Sequence, residues 1–368
     1  MTRDPLRVAA IGVGRIGLFH ARHVQEVGDE TGACRLVAVA DRHGDTAQRA
    51  AERLSVGGRE PVAAFDSPAA LAEAGVADAA VIASRTRDHR RDTEAMVNAG
   101  GRVLLEKPLA DSLEEARDLA AWLEADETRR QAVMLAFQRR YDQALLRARE
   151  LLRANAIGRL FKTVSVLEDP EPPPPGYQSP GLLADMAVHN ADEILWLVGG
   201  TPTAVTGVGA RLHNQRIPGV VEEDFDDVLV QMWFGDEATA QIQVSRNHVA
   251  GYRNETFLYG AEGLIHVGHF DQDPLRARVD AFGRDHEVIE QRAFALRDYG
   301  EPVPVFIRRF GNAYKAEVAD FVARCRAGEP FAVTHRDGLR AMEVVIAGAG
   351  AVRGAGEAAS IVLSGDAT

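Results

Sequence analysis

From Leu6 to about Phe137 the chain alternates short β-branched and aliphatic runs with longer stretches whose apolar positions recur at helical spacing. Short apolar runs suit strands buried on both faces, and the amphipathic stretches between them suit the crossovers of a parallel sheet. Strands are predicted at Arg7 to Ile11, Leu36 to Ala40, Ala79 to Ala83, Arg102 to Leu105 and Ala132 to Ala136. Helices are predicted at Ile16 to Val27, Asp45 to Leu54, His89 to Ala99 and Leu113 to Leu123, the last with Asp111 and Ser112 as caps. Residues 1–137 are therefore expected to form a doubly wound α/β domain.

After Tyr141 the texture changes. A helix to Ala154 and a strand from Leu160 to Leu167 precede Glu168 to Gly181, whose six prolines lack amide donors and predict an extended loop. A helical run from Leu182 to Val198 follows. Strand-like stretches then come at Ala204 to Ala210, Asp227 to Phe234, Thr239 to Ser245 and Glu255 to Tyr259, with few helices between them. Helices at Ala313 to Arg326 and Asp337 to Val352 close the chain. Residues 138–368 are expected to form an α+β domain on a mostly antiparallel sheet, and a length of 368 residues agrees with two cores.

A formal net charge of −12 argues against a polyanionic partner, because a nucleic-acid surface needs a basic patch to displace counterions. Arg85, Arg87, Arg90 and Arg91 cluster at a predicted helix start and are read as a solvated or ligand-facing edge. Two cysteines, Cys34 and Cys325, make no disulfide framework and suit a reducing compartment. With no secretion signal and no 18-residue apolar run, a cytoplasmic chain without membrane or nucleic-acid partners is expected.

Gly12, Gly14 and Gly17 form a GxGxxG directly after a predicted strand and at the start of a helix, the context that gives the pattern meaning. The first glycine permits a tight turn, the second lets a pyrophosphate approach, and the third allows close helix packing. Asp41 ends the second strand, where an acid can accept from the adenosine ribose and repel the extra phosphate of NADP. Two readings of Asp41 stand at this point: ribose acceptor, or cap of the following turn. Arg42 beside it blurs the preference for NAD.

Further along, the motifs resemble one oxidoreductase family, typified by glucose-fructose oxidoreductase, inositol dehydrogenase and rhizopine-catabolism oxidoreductase. They are the glycine turn, Ser84 to His89, Glu106-Lys107-Pro108, Phe137-Gln138-Arg139-Arg140-Tyr141-Asp142, the run from Asp185 through His189 to Asp192 and Trp196, and Arg309-Phe310 with Ala313, Tyr314 and Glu317. The inositol dehydrogenase branch is the nearest in pattern. The resemblance implies a Rossmann domain, then a domain with a large open antiparallel sheet whose free face builds dimers or tetramers. It implies NAD held by the glycine turn with Arg15 and Ile16, by Asp41, Arg42, Ser84, Arg85 and His89, and by Glu106, Lys107 and Gln138. Departures are Ser84-Arg85, where the family usually has Thr-Pro, and Glu168, where it often has arginine.

The same resemblance implies catalysis by Lys107, Asp185 and His189. Oxidising an alcohol needs a base near neutrality and a cation for the developing alkoxide, roles that suit His189 and Lys107. Asp185 lies four residues before His189, so on a helix both project from one face and the carboxylate can orient the imidazole. Asp192 and Trp196 continue that stripe. Each residue alone also has an ordinary reading as a surface pair or a solvated lysine. Arg139, Asp169 and Tyr252, with Lys107, Asp185 and His189, are the implied substrate contacts. Arg139 and Arg140 read equally as surface charge, and Tyr252 as sheet packing. His20, His23 and His43 lie outside that pattern and are read as structural or exposed. No metal-ligand spacing is evident. The function expected is NAD-dependent oxidation of a secondary hydroxyl of an inositol-type polyol or sugar. The alternatives are a ketosugar oxidoreductase on the same site and a non-enzymatic NAD-sensing regulator.

Overall fold

The computed structural model describes residues 4–56, 59–170, 181–212, 225–268, 276–354 and 359–364. Most of the proline-rich stretch read as an extended loop, positions 171–180, lies outside the described residues. The chain divides into two compact units, Met1–Gln138 with Tyr314–Leu339, and Arg139–Ala313 with Arg340–Thr368.

In the first unit β1 (Leu6–Ile11), β2 (Cys34–Ala40), β3 (Ala63–Phe65), β4 (Ala79–Ile82), β5 (Arg102–Glu106) and β6 (Val133–Ala136) form one sheet in the order β3-β2-β1-β4-β5-β6. Every pairing in it is parallel. Helices cross between strands, including Arg15–Thr31, Gly44–Leu54, His89–Asn98 and Leu113–Glu124. The central strands are apolar without alternation because both faces are covered, and Val8, Ala9, Ile82 and Leu104 are fully buried. Ser112 is the cap of Leu113–Glu124, accepting the Glu115 amide at 3.1 Å. The doubly wound prediction holds, with β3 added: three residues long and at the edge, it is too short to give a periodic signal.

The sequence reading gave everything after residue 137 to the second domain. Instead, Tyr314–Leu339 packs with the first unit. Its physical reason is the edge of β6, which would otherwise offer unpaired backbone groups. Leu135 donates its amide to the Val333 carbonyl at 3.3 Å, and Met134 bridges Thr334. The Arg102 guanidinium donates to the carbonyls of Arg324, Gln131 and Glu329 at 2.9, 3.1 and 2.7 Å and lies 3.9 Å over the Phe331 ring.

The second unit is built on nine strands: β7 (Leu160–Glu168), β8 (Ala204–Ala210), β9 (Asp227–Phe234), β10 (Ala238–Ser245), β11 (Arg253–Gly260), β12 (Gly263–Val267), β13 (Arg276–Phe282), β14 (Val288–Ala295) and β15 (Ala359–Ser360). Their order is β14-β13-β12-β11-β7-β10-β9-β8-β15, antiparallel except for the pair β7 and β10. Alternate residues are buried along β9, as a sheet with one packed face requires. Ala144, Leu145, Ala148 and Leu151 of the helix Gln143–Arg153 pack on that face against Leu258, Ile265, Val279 and Ala281. The strands β12 to β14 were not predicted. In β13 and β14 charged residues interrupt the apolar alternation, and β14 is largely exposed.

Candidate functional site

The glycine turn of the first unit shows why each glycine stands where it does. Gly12 has φ of 79°, and a Cβ there would lie 2.4 Å from the Ser84 amide nitrogen. At Gly17 a Cβ would come within 1.8 Å of the Gly12 carbonyl oxygen. Gly14 differs from both: a Cβ there would meet nothing within 4 Å. The turn is thus closed by two glycines and left open at the third, where a ligand can approach the backbone. The helix Arg15–Thr31 follows with no side-chain cap and no acid in its first turn. Its ladder begins with the Leu18 amide on the Gly14 carbonyl at 3.0 Å, so the amides of Arg15, Ile16 and Gly17 precede it, at the end of a helix that suits an anion.

The capping reading of Asp41 is the one its hydrogen bonds realise. Its Oδ2 accepts the Val13 amide at 3.2 Å, holding the glycine turn, and its Oδ1 accepts the His43 amide at 3.0 Å, holding the turn into the next helix. A carboxylate has about four lone-pair sites, so ribose hydroxyls can still be accepted. Arg42 is exposed, with Nε 3.2 Å from Nε2 of His43. Arg85 and Arg87 are exposed, whereas Arg90 pairs with Glu94 and Asp118, and Arg91 with Asp88 and Asp92.

His89 needs correction as a cofactor contact. It is 1% exposed, with Nδ1 2.9 Å from the Pro108 carbonyl and Nε2 3.2 Å from the Ser84 carbonyl. Burial pushes its imidazole below the ordinary range, and the ring buttresses the ends of β4 and β5. His20 needs correction in the other direction. Its Nε2 lies 2.7 Å from Oε1 of Glu106, an acid 86 residues away that helical spacing could not reveal. Glu106 is 6% exposed and turned toward His20, and Lys107 follows it at the end of β5. Gln138 is 3% exposed, and its Oε1 is buried with no hydrogen-bond partner among the described residues, an acceptor that suits a ligand's amide.

In the second unit Asp185 lies in a π-helical turn, Leu183–Ala187, that runs directly into the helix Val188–Val198 carrying His189. A wider turn of this kind is frequent at functional sites. Arg246, 2% exposed just past the end of β10, sets Nη2 3.2 Å from Oδ2 of Asp185. Sequence reasoning missed this arginine, and no local signal marks it.

Arg139 and Arg140 are not surface charge. Arg139, 2% exposed, places Nη1 2.8 Å from Oε2 of the fully buried Glu193. Arg140 donates through Nε to Asp192 at 2.9 Å. Glu193 Oε1 also accepts the hydroxyls of Ser165, at 2.9 Å, and Thr256. Ser165 in turn accepts Nδ2 of Asn190, the neighbour of His189, at 2.8 Å. These acids fix the His189 helix, and two adjacent carboxylates inside an apolar helix were the signal available for finding them. Tyr252 lies within electrostatic reach of Arg139, Asp169 and Arg309, and burial pushes its hydroxyl up, keeping it a neutral donor. Glu168 is directed to Arg253 at 3.3 Å and toward His248 at 3.8 Å. Among the described residues no cluster of His, Cys, Asp and Glu could hold a metal ion.

Two family models match the chain: an oxidoreductase family with an NAD-binding Rossmann fold over residues 6–134, and the GFO/IDH/MocA C-terminal domain over residues 145–266. The chain belongs to the GFO/IDH/MocA oxidoreductase family. The resemblance read from the motifs is thereby shown, as is its fold class. Similar members of the family include the inositol 2-dehydrogenase of Rhizobium meliloti strain 1021, 29% identical over 98% of this chain and 99% of that protein. The scyllo-inositol 2-dehydrogenase (NAD(+)) of Bacillus subtilis strain 168 is 28% identical over 95% and 94%. Among solved structures, the myo-inositol dehydrogenase of Corynebacterium glutamicum ATCC 13032 superposes with a TM-score of 0.80 at 26% identity, covering 98% of this chain and all of the other. In this family the first unit is the NAD-binding domain.

Proposed function

We propose that this chain oxidises one secondary hydroxyl of a cyclic polyol of the inositol type, or of a related sugar, to the ketone with NAD. The observation that carries this reading is similarity along nearly the whole chain to inositol 2-dehydrogenases of separate genera. The open space at Gly14 and the spare lone pairs of Asp41 fit the cofactor. NAD, when bound, supplies the hydride acceptor.

The chain's own residues divide the remaining work. His189, neutral, removes the hydroxyl proton, and Asp185 orients its imidazole while itself held by Arg246. The Lys107 ammonium stabilises the alkoxide. Arg139, Asp169 and Tyr252 are the remaining substrate contacts in this reading. Arg139 acts mainly by holding Glu193 in place, and Tyr252 donates as a neutral phenol. The site residues proposed toward NAD are Gly12, Gly14, Arg15, Ile16, Gly17, Asp41, Arg42, Ser84, Arg85, Glu106, Lys107 and Gln138.

The enzyme is further proposed to act in the cytoplasm, supported by a chain with two free cysteines, and as a homo-oligomer, dimer or tetramer. Support for assembly comes from the sheet face opposite the helices, where Val208 and Phe161 are 60% and 41% exposed. The deciding assay is a panel of inositol isomers and aldoses with NAD, followed at the nicotinamide absorbance band. Reduction of NAD with at least one inositol isomer is expected. Inactivity across the panel, with NAD still bound, would favour a sensing protein instead.

A further inference from the structure

One residue before Lys107, β5 ends on a buried acid. Glu106 binds through both oxygens: Oε1 faces Nε2 of His20 at 2.7 Å, and Oε2 accepts the backbone amide of Lys107 at 3.2 Å. His20 is fully buried, and its ring meets Tyr314 edge-on with centroids 5.6 Å apart, which fixes the ring plane. Its other nitrogen, Nδ1, has no hydrogen-bond partner among the described residues, so the polar bonding of this imidazole is directed at Glu106.

His20 sits three residues beyond Gly17 on the helix Arg15–Thr31 that opens from the glycine turn. One carboxylate therefore joins the cofactor helix to the strand end that carries Lys107. Burial of such a carboxylate is costly unless neighbouring groups compensate it. The groups facing it are His20 from the helix Arg15–Thr31, His89 from the helix after β4, and Lys107 itself. Burial raises the Glu106 carboxyl, but the hydrogen bond from His20 and the charges of His20, Lys107 and His89 outweigh it and leave the group below the usual carboxylate range.

We propose that Glu106, oriented by His20, is the positioning residue of Lys107, fixing its strand end and placing a negative charge beside the ammonium. The inference rests on the reading of Lys107 as the cation facing the alkoxide. An apolar pair of the same volume would hold the strand equally well, but it would place no charge beside the ammonium.

The test reads Lys107 directly, on the full chain and without substrate. Competitive labelling with acetic anhydride across a pH series, quantified by mass spectrometry, gives the midpoint at which Lys107 loses its proton. Glu106→Gln is expected to lower that midpoint by about one unit, a tenfold change in proton affinity. Glu106→Asp keeps the charge but shortens the reach to His20. It is expected to restore the midpoint while turnover on inositol stays severalfold depressed. An unmoved midpoint in Glu106→Gln overturns the proposal, even with turnover lost, because the acid would then be structural. Should that variant not fold, His20→Gln and His20→Leu carry the question. The glutamine keeps a donor on Glu106 and is expected to hold kcat within about threefold, whereas leucine lowers kcat with the KM for NAD unchanged; equal losses overturn it. Labelling needs no polyol, so failure of the substrate assignment and failure of this inference leave different signatures.

Discussion

The two units place their functional groups by different means. In the Rossmann unit the groups proposed to face the cofactor are largely backbone: a turn closed by Gly12 and Gly17, open at Gly14, and amides at a helix start. In the sheet unit they are side chains, held by buried ion pairs between residues far apart in sequence. Arg246 reaches back 61 positions to Asp185, and Arg139 reaches forward 54 to Glu193. A backbone site is written in local residue identity. A side-chain site of this kind depends on a network, and one deletion leaves a charge buried without its partner.

The sharpest way to expose that difference is Glu193→Ala, which strands the Arg139 guanidinium and two hydroxyls. Urea unfolding should show a loss of about 3–5 kcal/mol, the range for breaking a buried pair from one side; a loss below about 1 kcal/mol would mean that the network does not carry the sheet unit. Next in size, His189→Ala should lower inositol turnover by about a hundredfold or more with NAD affinity nearly unchanged, measured by steady-state kinetics and calorimetric titration. In the Rossmann unit, Gly14→Ala should weaken NAD binding by about tenfold while the thermal midpoint stays put, because its methyl enters ligand space and touches no protein atom. If the midpoint falls as well, Gly14 is structural and the contrast with Gly17 fails.

The smallest expected effect concerns acid. Burial raises the Glu255 carboxyl, but hydrogen bonds from His266 and Arg253 and their charges bring it down to about 2. Its folded value lies below its unfolded one, so its stabilisation is complete above the unfolded value of about 4.3 and fades as pH falls toward 2. Glu255→Gln should therefore cost on the order of 1 kcal/mol at pH 7 and flatten the acid limb of stability against pH between about 5 and 2. An unchanged limb would place the acid sensitivity elsewhere.

The same contrast explains what could be read in advance. The first unit's strands other than β3, the glycine turn, Asp41 and the Ser112 cap announce themselves within a few residues, because period, turn chemistry and capping are local rules. The placement of Asp185 and His189 on consecutive turns was legible for the same reason, although the π-helical turn between them was not. Arg246, the Glu193 network and the pairing of His20 with Glu106 were hidden, since their partners are set by sheet order and crossover rather than by spacing. His89 misled because a histidine at a helix start looks alike whether it faces solvent or, as here, two carbonyls. The strands β13 and β14 escaped because the charged side chains within them mask the two-residue period.

The clamp of Arg102 on the carbonyls of Arg324 and Glu329 also bears on the order of events during synthesis. A ribosome releases β6 long before the segment that seals its edge, with the sheet unit's strands emerging in between. At about 5–20 residues per second, a nascent Rossmann unit waits on the order of ten seconds or more with that edge uncovered. An amino-terminal fragment ending near residue 137 should carry the same defect permanently, and the exposed edge is where chaperone capture or self-association would begin.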